Sequence, residues 1–63
     1  MKAYYADLAT SRLNEALKNI TSARQYLDDA LAPDYITENL KKISSGIQNR
    51  INEIIQLRKP NHA

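Results

Sequence analysis

Between Ala3 and Lys59 only Pro33 and Gly46 can interrupt a helix, and only Pro33 has to. Proline lacks the backbone N–H and clashes with the preceding turn, whereas a lone glycine merely weakens a helix interior. So sparse a set of breakers predicts two long helices, about residues 3–31 and 34–59. A connection of about three residues folds such helices back on each other. The expected fold is therefore all-α: an antiparallel two-helix hairpin over residues 1–59, with a disordered C-terminal tail over residues 60–63.

The apolar spacing supports the same plan. Leu13, Ile20 and Leu27 recur every seven positions, each followed three residues later by Ala16, Ala23 or Ala30, with Ala9 continuing the series backwards. The second segment carries Ile36, Leu40, Ile43, Ile47, Arg50, Ile54 and Leu57 at the same 4-3 spacing. Antiparallel neighbours should have numbers with a constant total. Ala30 with Ile36, Leu27 with Leu40, Ile20 with Ile47, and so on to Ala9 with Leu57, total 66 or 67 in every layer. These two stripes are the expected seam. Asp34 is the expected N-cap of the second helix, Pro33 fits just before or inside its first turn, and Arg58 and Lys59 suit its C-terminal dipole.

Arg50 breaks the apolar series. Either it reaches out to the edge while Ile51 turns inward, or it forms a buried polar layer opposite Ala16. The Ser44-Ser45-Gly46 run marks a close helix approach or a local weak point.

Two flanks border this seam. One holds Thr10, Leu17, Arg24 and Leu31, with Thr37, Ser44 and Ile51 from the second helix. Thr10, Leu17, Arg24, Leu31, Ser44 and Ile51 form the expected face for self-association or for a partner helix, two uses that would compete. The other flank holds Tyr5, Arg12, Asn19 and Tyr26 against Asn39, Gly46 and Glu53, which places Arg12 and Glu53 for an interhelical ion pair.

Size and charge favour association. A chain of 63 residues with no cysteine has a small core and no disulfide to support it. Residues 26–40 hold Asp28, Asp29, Asp34 and Glu38 without Lys or Arg, while the open end holds Lys2, Arg12, Arg50, Arg58 and Lys59 against Asp7 and Glu53. Head-to-tail rods bring opposite charges together, so an antiparallel homodimeric four-helix bundle is expected.

Catalytic chemistry finds little to work with. The single histidine, His62, lies in the tail, and one glycine in all leaves no phosphate-cradling loop. Asp28, Asp29 and Asp34 lack EF-hand spacing. No enzyme activity, cofactor or metal is expected. Nor does any stretch reach membrane-span length, and the N-terminus has no apolar signal core, so no membrane partner and a cytoplasmic location are expected.

The expected function is a small non-enzymatic interaction, regulatory or adaptor protein working through helical faces on itself and on an unidentified protein. The alternative is a nucleic-acid-binding dimer using Tyr5, Arg12, Asn19 and Tyr26 with Lys41 and Lys42, where rings stack on bases and cations meet phosphates. In its helix–turn–helix plan and alternating alanine–leucine core the chain resembles the Rop family of small RNA-binding hairpins, a likeness of layout without a shared stretch of sequence. Arg12-Leu13 with Ala16-Leu17, then Pro33, Tyr35, Gly46 and Gln56-Leu57, looks similarly like the helical-hairpin co-chaperones of type III secretion. That resemblance implies a helper covering apolar helices of a secretion subunit. A structural assembly component is the remaining alternative.

Overall fold

The computed structural model describes residues 2–58. Within them lie two helices, α1 (Ala3–Asp29) and α2 (Asp34–Arg58), packed against each other with no strand. The rod measures 51 × 19 × 11 Å, one helix layer thick. The expected tail and Lys59 lie outside the described residues.

α1 ends two residues earlier than the spacing predicts, because the chain closes it with a Schellman turn. The Ala32 N–H donates to the Leu27 carbonyl at 3.0 Å and the Leu31 N–H to the Asp28 carbonyl at 3.1 Å. Leu31 takes the left-handed conformation, φ 60°, that glycine usually supplies there. Asp34 is the first helical residue of α2 rather than its cap. The Ile36 N–H donates to the Pro33 carbonyl and the Thr37 hydroxyl to the Asp34 carbonyl. Asp34 in the first turn and Arg58 in the last still complement the dipole.

The seam differs from the expected one by one stripe. Among the described residues Ala6 and Ile51 are the buried ones, at 4% and 3% exposure. On α1 the half-buried positions include Thr10, Leu13, Leu17, Ile20, Arg24 and Leu27; on α2 they include Thr37, Leu40, Ser44, Ile47 and Ile54. The Leu13 stripe (Ala6, Leu13, Ile20, Leu27) and the Ile47 stripe (Leu40, Ile47, Ile54) belong to the seam as predicted. Their partners are the Leu17 stripe (Thr10, Leu17, Arg24) and the Ile51 stripe (Thr37, Ser44, Ile51), not the alanines. Ala9, Ala23, Ala30, Ile43 and Leu57 are exposed instead, with Ala16 and Ile36 half-buried. The reason is reach: an alanine methyl at the edge of a two-helix contact covers little, whereas Leu17, Ile51 and the Arg24 stem extend across it.

The register holds to within two residues. Arg58 Nε lies 3.1 Å from Asp7 Oδ1 across the open end, a pair whose numbers total 65. Arg12 does not reach Glu53. It pairs with Glu15 in its own helix at 3.3 Å, while Glu53 takes Arg50 at 2.8 Å. Arg50 is exposed and Ile51 points inward, the first of the two arrangements open from the sequence.

Candidate interaction face

Choosing the Leu17 and Ile51 stripes for the seam leaves the hairpin with two unlike sides. In an antiparallel pair the positions flanking the seam on one side come from matching edges of both helices. One side thus carries, in order across the rod, the alanine stripe (Ala9, Ala16, Ala23, Ala30), the Leu13 stripe, the Ile47 stripe and the Ile43 stripe (Ile36, Ile43, Arg50, Leu57). Every residue on it is apolar except Arg50. The opposite side adds Asp7, Asn14, Thr21, Asp28, Asp34, Lys41, Gln48 and the exposed Ile55 to the Leu17 and Ile51 stripes, so it is mainly polar, and it carries the Asp7–Arg58 bridge.

On the apolar side Ile43 is 50% exposed and Leu57 66%. Apolar side chains gathered on one side of a molecule are the kind of surface that marks a contact region. Arg50 stands between Ile43 and Leu57 on the same stripe, with both Glu53 carboxylate oxygens accepting from its Nη1 at 2.8 Å. Beside it sits Gly46, where an added Cβ would meet nothing within 4 Å. The Ser44-Ser45-Gly46 run is therefore no close approach within the hairpin.

The residues expected to form an association face are differently placed. Ile51 is covered by the chain's own α1, and Thr10, Leu17, Arg24 and Ser44 are half-buried in the same seam. A second molecule would reach Ile51 only if the hairpin opened, while the other four keep part of their surface in solvent. Leu31 stands apart from them in the turn, 89% exposed. The seam has its own polar cost. The Thr10 hydroxyl donates to the Ala6 carbonyl at 2.9 Å, but Arg24 Nε and Ser44 Oγ are buried without a hydrogen-bond partner.

The aromatic row stays together. Tyr5, Arg12, Asn19 and Tyr26 line the outer edge of α1 beside the alanine stripe, all exposed, with the Tyr4 and Tyr5 rings edge to face at 5.3 Å. Lys41 and Lys42 do not join it. They belong to α2, on its far side and outer edge, and Lys41 pairs with Glu38 at 3.6 Å. With Arg12 held by Glu15, the row presents rings and an amide without an unpaired cation among its four residues.

Asn14, Leu17, Lys18, Thr21, Ser22 and Gln25 line a shallow groove open to solvent on the polar side. Among the described residues no three acidic or imidazole groups converge as a metal site would require, and no helix is long and apolar enough to cross a membrane. Reading the apolar periodicity as one seam concealed the face: its alanine and Ile43 stripes had been assigned to the hairpin's own contact. Comparison with protein-family models, with characterised proteins and with solved structures finds no match to this chain.

Proposed function

We propose that this protein is a non-enzymatic helical interaction module whose working surface is the apolar side built from the alanine, Leu13, Ile47 and Ile43 stripes. One observation carries the reading: among the described residues a hairpin one layer thick keeps only Ala6 and Ile51 buried while Ile43 and Leu57 face water. Stable domains place two packed layers around a core, so a single layer gains its second from another molecule. The activity is then the covering of helical surface, and the opposite, polar side keeps the complex in solution. Because one face does the work, any two ligands of it exclude each other, which gives the module a means of regulation.

Thermal unfolding followed by circular dichroism at several protein concentrations tests the reading. A hairpin that needs cover unfolds either with a midpoint that rises with concentration or, as a monomer, broadly and below about 45 °C. A monomer unfolding cooperatively above about 65 °C, independent of concentration, needs no second layer and overturns it.

A further inference from the structure

We infer that the molecule covering this face is a second copy of the same chain, laid face to face and head to tail, with α1 crossing α1 of the second copy midway between Ala16 and Ala23 and α2 crossing α2 of the second copy at Gly46. The inference rests on the apolar side being an association surface and adds its occupant and geometry.

Gly46 supplies the first argument. It sits in the middle of α2, where glycine weakens a helix relative to alanine. Its φ is not positive, and an added Cβ would meet nothing within 4 Å, so nothing in the hairpin requires a glycine. A helix from another molecule passing close over this point does require one.

Symmetry supplies the second. In a head-to-tail pair, stripe positions face each other about a centre. The alanine stripe, Ala9 to Ala30, is centred midway between Ala16 and Ala23, so Ala16 faces Ala23 of the second copy and Ala9 faces its Ala30. On α2, Asn39 and Glu53 lie evenly about Gly46, and Ile36 then falls near Leu57 of the second copy. Given the Asp7–Arg58 register, the α1 midpoint and Gly46 lie at nearly the same height along the rod. One two-fold axis across the face serves both helices. At the rim the same operation sets Arg12 near Tyr26 of the second copy and Asn19 near its own counterpart.

Charge and area agree. The turn end holds Asp28, Asp29, Asp34 and Glu38 without a base, while at the open end Lys2, Arg12, Arg50 and Arg58 stand with Asp7, Glu15 and Glu53, so the head-to-tail order lays the acidic end of each copy beside the less acidic end of the other. The chain exposes 5141 Å². A compact monomer of 7.2 kDa would expose about 4100 Å². The difference is close to the roughly 800 Å² each partner contributes to an interface of ordinary size.

The chain has no cysteine, so single cysteines report the geometry directly. Ala16→Cys and Ala23→Cys variants are oxidised separately and as a mixture, beside sedimentation equilibrium of the parent, Gly46→Ala and Gly46→Leu. The expected result is a dimeric parent. The Ala16→Cys with Ala23→Cys mixture links, while neither variant links alone because its counterpart lies about 10 Å away along the helix. Gly46→Leu raises the dimer dissociation constant at least a hundredfold, while Gly46→Ala, with its better helix propensity, gains no dimer stability. Ala16→Cys linking to itself places the axis elsewhere on the rod and overturns the geometry while leaving the interaction reading intact. A dimer whose Ala16→Cys with Ala23→Cys mixture fails to link, or that is unaffected by Gly46→Leu, overturns it equally. A monomeric parent overturns the second copy as occupant, and its melting behaviour then decides separately whether the face needs covering.

Discussion

Arg58 grips Asp7 across the open end of the hairpin with two donors, Nε to Oδ1 at 3.1 Å and Nη2 to Oδ2 at 3.3 Å. Among the described residues it is the one side-chain ion pair joining α1 to α2; the other three lie within a helix. Its geometry fixes register, but both side chains are about half exposed, and exposed pairs contribute roughly 0.2–1 kcal/mol. A double-mutant cycle of Asp7→Asn and Arg58→Gln should therefore give a coupling of about 0.5 kcal/mol that disappears in 1 M salt. A coupling above about 2 kcal/mol would show the bridge shielded from solvent.

Leu31 adopts φ 60° with its side chain 89% exposed. The left-handed conformation costs a residue with a Cβ about 1–2 kcal/mol, and here no packing within the hairpin offsets it. Leu31→Gly relieves that cost, against about 0.4–1 kcal/mol of added unfolded-chain freedom. The net expectation is a stabilisation of about 0.5–1 kcal/mol, read as a rise of a few degrees in melting midpoint at fixed concentration. A fall in the midpoint would mean the leucine side chain is held by something outside the hairpin.

The plan of the molecule was legible from Pro33 and the 4-3 spacing, and register from the constant totals, because turns and periodicity are local or additive properties of a sequence. The choice of seam was not. Leu13, Ile20 and Leu27 belong to two overlapping 4-3 patterns, one continued by Ala16 and Ala23, the other by Leu17 and Arg24. Hydrophobicity favours the alanines over Thr10 and Arg24, but periodicity sums every contact a helix is built for, including those with another molecule. Side-chain reach decides which stripe faces the helix of the same chain, and composition does not encode reach. Seven-residue spacing by itself puts Tyr5, Arg12, Asn19 and Tyr26 on one line of α1, while the separation of Lys41 and Lys42 from it depends on that same rotation of the seam.

Ser44 places its hydroxyl oxygen in the seam without a partner. An unsatisfied buried polar group is a cost, and alanine is also the better helix former. Ser44→Ala should stabilise the fold by about 1 kcal/mol, measured by urea unfolding with an unchanged slope. Destabilisation instead would show the hydroxyl bound to an ordered water or to a neighbouring group.

Ile51 and Ile43 are both α2 isoleucines, eight positions apart, and the structure gives them opposite tasks. Ile51, 3% exposed, holds α2 to α1; Ile43, 50% exposed, faces away from the seam with Leu57. Truncating a buried isoleucine costs about 2–5 kcal/mol, a large part of the stability of so small a fold. Ile51→Ala should therefore lose most of the helical circular dichroism signal at any concentration up to about 100 μM, since it weakens the hairpin itself. Ile43→Glu with Leu57→Glu leaves the seam intact and places charge on the apolar side. That variant should retain helical signal at millimolar concentration yet sediment as a monomer, with its unfolding midpoint no longer dependent on concentration. A Lys41→Glu control, on the polar side, should behave as the parent does. If the double glutamate variant instead keeps the parent's mass and midpoint, Ile43 and Leu57 are stray surface aliphatics, and the second layer, if there is one, packs on the other side of the rod.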